Sequence, residues 1–229
     1  MVPTPEFPDI GSLAPEEAPR EVKWWRQSCE TITKFRNPLF HPRTGITLLS
    51  LALDWLHILS LGVFQVILGH LLQRLLRRNA FRVRGTSTNL MELGLSVLKG
   101  HLGQWYSDSA KAGKQYTHLE DLSVSSLGSE TDPGLSLPGA ATNGVLQFAH
   151  EVLLPRFGRV LEGERPHFFA AVASCVRIRE VIRDHERVVP DNVAEQFCSD
   201  LALHIKSLTK LRIPMMPKHH LLLEMGARL

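Results

Sequence analysis

The stretch Pro190–Leu211 reads PDNVAEQFCSDLALHIKSLTKL. Its large apolar side chains recur every three or four residues, at Val193, Phe197, Leu201, Ile205 and Leu208. A helix brings residues at these intervals onto one face, whereas a strand requires strict alternation. Polar and charged residues occupy the opposite face. The pattern therefore predicts an amphipathic helix with one buried side.

Other parts of the chain show the same period. Helices are expected within 56–78, 85–106, 140–153 and 165–187. In the second of these, a stripe at helical spacing comprises Leu90, Leu93, Val97, Leu98 and Leu102. The sequence ITLLSLAL at 46–53 fits either a short strand or the start of a helix. The fold class expected is mainly α, an irregular helical bundle with at most one or two short strands near residues 46–53.

The domain organisation follows from composition along the chain. Residues 1–15 are proline-rich and acidic, which predicts a disordered tail. Residues 16–229 are expected to form a single helical domain. The segment 107–139 contains SVSSLGSETDPGLSLPG and has no period, so a flexible loop is expected there.

The composition indicates a cellular compartment for the protein, but it does not indicate a function. The chain has 229 residues, a formal net charge of +3 and three cysteines that are far apart in sequence. Distant cysteines without a CxxC pair favour a reducing, intracellular environment. The sequence contains no glycine-rich phosphate loop, no G-x-S-x-G and no zinc spacing. From these residues alone, no enzyme class is indicated.

An apolar run from Leu48 to Leu72 raises the alternative of a membrane span, with arginines following it. No uninterrupted apolar run approaches the ~18 residues that a span requires. The run is interrupted by Asp54, His57, Gln65 and His70. A buried helix is therefore the preferred interpretation.

Asp54 and His57 form a D-x-x-H within this run. On a helix, this spacing puts both side chains on one face. A carboxylate there can orient or protonate an imidazole, and the apolar neighbours are expected to bury both. The alternative is an N-cap aspartate near an unrelated core histidine.

His219 and His220 are adjacent, in PKHHLLL. On a helix, adjacent side chains point about 100° apart, so the two cannot easily bind one metal ion. One of them could face the core beside His57 while the other points outward. Both could equally be ordinary histidines at a helix start.

Two basic runs could bind phosphate groups. The second run, 177–187, carries acidic residues that can pair with its arginines, so a solvated helix face is the alternative. Within the first run, RLLRRNAFRVR, the candidate nucleic-acid-binding residues are Arg74, Arg77, Arg78, Arg82 and Arg84.

Four stretches occur in order: NPLFHPRTGI, LALDWLHILSLGVFQ, GAATNGVLQFA and MMPKHHLLLE. Together they resemble the later part of the RNase H-like catalytic region of CACTA-type (En/Spm-like) DDE transposases and their transposon-derived relatives. The resemblance covers 37–80 and 138–229. It matches Asp54 and His57 to the family's D-x-x-H, and His219 and His220 to a later PKHH segment. It implies that most of the chain corresponds to the helical insertion of that catalytic region.

The resemblance implies a parent class that binds and cleaves DNA with Mg²⁺. This sequence offers no match for the first two catalytic aspartates, and Glu224 is too close to the histidines to be assigned as the catalytic glutamate. A catalytically incomplete, transposase-derived fragment is therefore expected, with no bound cofactor and with flanking transposase segments missing. Weak DNA binding and an intracellular or nuclear location are expected. The alternative is a helical protein-interaction module without a nucleic-acid role.

Overall fold

The structure, a computed structural model, describes residues 56–86, 89–185 and 189–226. The described residues are mainly helical and contain no strand, only an isolated bridge between Gly128 and Pro133. The mainly α prediction is confirmed. The predicted tail at 1–15 and the predicted domain boundary at 16 lie outside the described residues. So does 46–53, for which a short strand or the start of a helix was expected.

A continuous helical segment forms the centre of the core. It starts as a π-helical turn, Leu56–Val63, and continues as helix α1, Phe64–Arg77. The side chains of Ile67, Leu68, Leu71 and Leu72 are completely buried. Near-complete burial on several faces explains why this stretch is apolar all round in sequence.

Helix α2, Leu90–Lys111, packs on α1 through a face that differs from the predicted stripe. Leu98 and Leu102 are buried as expected, but Leu93 and Val97 are exposed. The buried face continues instead through Trp105 and Tyr106. The helix ends after Lys111, where Gly113 takes a positive φ of 78°. Glycine is the usual residue at that position.

The segment between α2 and the next helix is irregular, but it begins at 112 rather than at the predicted 107. It contains a short 3₁₀ turn, Val124–Leu127. Four of its side chains belong to the core: Leu122, Leu127, Leu135 and Leu137. The predicted flexibility of this segment stays a prediction, and the buried leucines argue against it.

Helix α3, Gly139–Phe148, leads into a second π-helical segment, Ala149–Phe157, and a 3₁₀ segment, Gly158–Glu164. Pro155 lies inside the π-helical segment. Proline lacks the amide hydrogen that a regular helix needs, which accounts for the irregular winding here.

The last three helices are α4, Arg165–Asp184; α5, Asp191–Leu211; and α6, Pro217–Gly226. Helices α4 and α5 pack along each other. Phe197, Leu201 and Leu208 of the predicted stripe are buried on α5. Helix α6 packs against α5 and the first π-helical segment, so the end of the described chain returns to its beginning.

Candidate functional site

Of the four stretches compared above with the transposase family, the described parts of three lie at or against the first π-helical segment. The stretch at 37–46 lies outside the described residues. Lys218 of α6 donates a hydrogen bond from Nζ to the carbonyl oxygen of Leu61 at 2.6 Å. Ser60 donates to Asn143 Oδ1 of α3 at 3.2 Å. An ideal Cβ on Gly62 would collide with the Lys218 side chain, so this glycine permits the close approach of α6. π-Helical turns are frequent at functional sites, which makes this junction the candidate site.

Gln65 adds a second link between the junction and α3. Its Nε2 donates to the carbonyl oxygen of Leu137 at 2.6 Å and to the Thr142 hydroxyl oxygen at 3.4 Å. Thr142 is completely buried. Gln65, one of the polar residues that interrupt the apolar run, therefore fixes how α1 and α3 pack.

His57 does not occupy the buried position predicted for it. Its side chain is exposed at the start of the π-helical segment. Its predicted partner, Asp54, lies outside the described residues, so the proposed pair stays a prediction. The expectation of burial assumed that apolar neighbours surround His57, but Leu56 is itself 47% exposed.

His219 is the histidine of the pair that enters the core. It is completely buried and stacks on His204 of α5, with ring centroids 5.7 Å apart and planes inclined by 14°. Its Nδ1 accepts a hydrogen bond from the Met216 amide at 3.0 Å. Burial lowers the pKa of His219 to about 3, and the adjacent His204 contributes to the shift. His219 is therefore neutral near pH 7.

His204 links this pair to α4. Its Nδ1 lies 3.2 Å from the carbonyl oxygen of Ala171 and 3.3 Å from Cys175 Sγ. Burial lowers the pKa of His204 to about 4 and raises the pKa of the Cys175 thiol far above its ordinary value. Because a nucleophilic cysteine needs a lowered pKa, this Cys–His contact is not arranged for nucleophilic chemistry.

The histidines are also poorly arranged as a metal site. Since Nδ1 of His219 accepts the Met216 N–H, its Nε2 carries the hydrogen and has no free lone pair. In the part of the chain that the structure describes, no three His, Cys, Asp or Glu side chains are grouped to hold an ion. Mg²⁺ in particular requires oxygen ligands, which these side chains do not supply.

Three of the five candidate phosphate-binding arginines make contacts within the protein. Arg74 and Arg78 bind opposite carboxylate oxygens of Glu164, at 2.6 and 2.7 Å. Arg74 also donates to the carbonyl oxygen of Leu211 and lies over the ring of Phe168. Arg77 pairs with Glu130 at 2.8 Å. These side chains join the C-terminal end of α1 to four other parts of the chain: the 3₁₀ segment, α4, α5 and the irregular segment after α2.

Arg82 and Arg84 follow α1 and are both exposed. Arg82 has a positive φ of 54° and lies beyond a turn in which Asn79 also has a positive φ. Unlike Arg74, Arg77 and Arg78, these two arginines form no ion pair within the described part of the chain.

One helical segment in the described part of the chain, Leu56–Arg77, is long and apolar enough to cross a membrane. Two-thirds of its most apolar window is buried inside the protein. The apolar side chains of this segment pack against α2, α3 and α4 and so form part of the core. The N-terminal part of 48–72, where a membrane span was the alternative to the preferred buried helix, lies outside the described residues.

Comparison with known protein families, with curated proteins and with solved structures gives no match for this chain.

The sequence analysis did not identify His204 and Cys175, which together with His219 form a buried cluster. His204 occupies a position of the α5 pattern adjacent to its apolar stripe, and Cys175 lies in the middle of α4. The signal for His204 was its position three residues after Leu201 on the buried face. No sequence signal identified Cys175 as its neighbour.

Proposed function

We propose that the chain is a transposase-derived helical domain, related to the insertion of RNase H-like DDE transposases, which serves as a scaffold and does not cleave DNA on its own. The observation that supports this proposal is the convergence of the resembling segments. The stretches at 56–65, 139–148 and 217–223 are distant in sequence, yet the second and the third both contact the π-helical segment in the first.

Specific polar contacts accompany this convergence. Lys218 and Leu61 are 157 residues apart in sequence, and Ser60 and Asn143 are 83 apart. Polar contacts of this kind fix the relative position of helices because each lost partner leaves a group unsatisfied. The arrangement suits a rigid support that holds neighbouring segments at a set geometry.

A scaffold role agrees with the chemistry of the described side chains. Two-metal phosphoryl transfer uses carboxylates that hold two ions about 3.5–4 Å apart. His219 of the PKHH segment instead contacts a backbone amide and another imidazole. No catalytic step is therefore assigned to His57, His219 or His220.

The cleavage assay tests the scaffold proposal directly. Full-length protein is incubated with end-labelled duplex DNA and either Mg²⁺ or Mn²⁺, and the products are separated on a denaturing gel. We expect no metal-dependent nicking or strand transfer. Metal-dependent cleavage that copurifies with the protein and is lost on substitution of Asp54 would contradict the proposal.

DNA contact is proposed at Arg82 and Arg84. Exposed arginines contribute to phosphate binding in a salt-dependent way, so weak binding that disappears with added salt is expected. Fluorescence anisotropy with labelled duplex DNA at two salt concentrations measures it. The variant R82Q/R84Q should bind several-fold more weakly than the parent protein. The control K206Q/K210Q, which removes two exposed positive charges from α5, should bind nearly as well as the parent.

A second candidate is a helical protein-interaction module without a nucleic-acid role. It is favoured by the ion pairs of Arg74, Arg77 and Arg78, which use three cations within the fold. The exposed apolar side chains Leu93 and Val97 on α2 also suit a protein partner. Equal and negligible DNA binding by the parent and both variants would support this candidate over the first.

A further inference from the structure

Helix α6 is attached to the rest of the protein through an unusual polar centre. His219 projects from its first turn into the core and stacks on His204. The Nε2 atoms of His204, His219 and His220 are all buried without a hydrogen-bond partner. Buried polar atoms without partners are costly, so this contact is a weak point in an otherwise apolar interface.

His219 also stabilises the start of the helix on which it lies. The Met216 amide donates to Nδ1 of His219, while the His219 amide donates to the carbonyl oxygen of Met216 at 2.9 Å. The bond to Nδ1 is one half of a capping box, with histidine in the place of the usual glutamate or glutamine, while the second bond is an ordinary backbone turn. Because Nδ1 is the acceptor, protonation of this nitrogen removes the cap.

The groups around the pair give little support to a positive charge. On α4, Cys175 contacts His204, and Arg177 is bonded to Asp200 of α5. On α6, His220 and Lys218 are the neighbouring titratable groups, and Lys218 is bound to the Leu61 carbonyl. The first π-helical segment contributes His57, which is exposed. Within the described residues, the carboxylate on these elements nearest in sequence to His204 is Asp200, and it is already paired.

We propose that α6 is an acid-released latch, in which protonation of the stacked His204–His219 pair breaks the cap at Met216 and detaches residues 217–226 from α5 and from the first π-helical segment.

The size of the effect follows from proton linkage. In the closed state the pKa of His204 is lowered to about 4 and that of His219 to about 3. Once α6 detaches, both imidazoles meet water and regain ordinary values near 6.5. Each histidine then increases the opening equilibrium on the order of 30-fold between pH 7.5 and pH 5. Above pH 7 neither contributes.

Hydrogen–deuterium exchange of the full chain tests the latch. Amide protection factors, corrected for the intrinsic pH dependence of exchange, are measured for 217–222 and for α4 at pH 7.5 and pH 5. We expect the α6 amides to lose protection by at least about 30-fold at pH 5. Amides in the middle of α4 should change much less.

Substitutions assign the effect to the pair. His219→Gln keeps an acceptor for the Met216 amide but cannot titrate, so it should remove on the order of 30-fold from the response. H204N/H219Q should abolish the remainder. His220→Gln, the matched control on the same helix, should leave the response intact.

Histidine NMR of the parent protein provides a test that does not depend on variants. We expect the imidazole signals of His204 and His219 to remain those of neutral rings while α6 stays protected. Titration of both rings near pH 6.5 with α6 still protected would overturn the proposal. Unchanged α6 protection at pH 5, or the same loss of protection in H204N/H219Q as in the parent, would overturn it equally.

Discussion

Arg177 on α4 and Asp200 on α5 form an ion pair in which two guanidinium nitrogens reach the same carboxylate oxygen. The distances to Asp200 Oδ1 are 2.8 Å from Nε and 2.5 Å from Nη2. The Asp200 side chain is 3% exposed, whereas that of Arg177 is 42% exposed. A buried carboxylate needs such a partner, so the pair fixes how α4 and α5 align.

Asp200→Asn should lower the free energy of unfolding by about 2 kcal/mol, because a charge-assisted hydrogen bond at a buried oxygen is weakened. Urea denaturation followed by circular dichroism measures the change. The control is Asp184→Asn, since Asp184 pairs with Arg183 at an exposed site. Solvent screens an exposed pair, so its loss should change stability far less. Equal losses in the two variants would contradict the role given to Asp200.

Gln73→Glu should loosen the segment between α2 and α3. The two N–H groups of the Gln73 amide are shared among the carbonyl oxygens of Leu127, Gly128 and Ser129, which lie 3.2, 3.1 and 2.6 Å from Nε2. A carboxylate in its place cannot donate and repels these oxygens. We expect faster hydrogen exchange across 122–137 and a stability loss of about 1–3 kcal/mol. Gln115→Glu, at an exposed position, adds the same charge and should leave exchange unchanged.

Gly69→Ala should destabilise the protein, although alanine is the better helix former. A Cβ at Gly69 would lie 2.7 Å from the Gly134 backbone, where the Leu135 amide also donates to the Gln65 carbonyl oxygen. The cost of displacing that backbone is about 1–3 kcal/mol. Gly103→Ala meets no atom within 4 Å and should instead stabilise α2 by up to about 1 kcal/mol. Thermal unfolding of both variants should show shifts of opposite sign.

Stability should fall as the pH is lowered from about 6.5 to about 4. Burial lowers the pKa of His70 to about 4, with a further contribution from Arg74 and an opposing one from Asp132. The pKa values of His204 and His219 are lowered as well. The unfolded chain therefore takes up protons at a higher pH than the folded chain, and protonation favours unfolding. Below about pH 3 this contribution is fully lost, and above about 6.5 it is constant.

Urea denaturation at pH 7.5, 5.5 and 4.5 checks this dependence. The urea concentration at the unfolding midpoint should decrease as the pH is lowered. His70→Gln should make that decrease smaller without affecting the hydrogen exchange of α6. Asp132→Asn should lower the pKa of His70 further, because it removes the charge that opposes the shift. A midpoint that is independent of pH would contradict the direction assigned to these histidines.

The helices could be predicted because their periodicity is local. In α5, Phe197, Leu201 and Leu208 are buried as the pattern indicates. In α2 the same reasoning placed Leu93 and Val97 on the buried face, yet both are exposed. This helix carries more apolar residues than one face can hold. The elements packed against α2 bury Trp105 and Tyr106 rather than Leu93 and Val97. Periodicity defines a helix more reliably than it defines the face that is buried.

The candidate site was harder to predict because it depends on contacts between distant segments. The run of arginines at 74–84 suggested a surface for phosphate groups. Two of them, Arg74 and Arg78, instead bind Glu164, which lies 90 and 86 residues later in the chain. Adjacent histidines at 219 and 220 gave no indication of which one is buried. His219 is the buried one, and its ring stacks on the His204 ring of α5, a contact between two helices that the pattern within α6 does not show.

The packing of α4 on α5 also has a kinetic consequence. The two helices follow each other closely in the chain, whereas the first π-helical segment and α1 bind partners as distant as Lys218 and Glu164. Short-range contacts form with a smaller loss of chain entropy. We therefore expect the α4–α5 hairpin to assemble first and to act as the nucleus on which the central helix later closes. Substitutions in the hairpin should then slow refolding, while those in α1 should mainly accelerate unfolding.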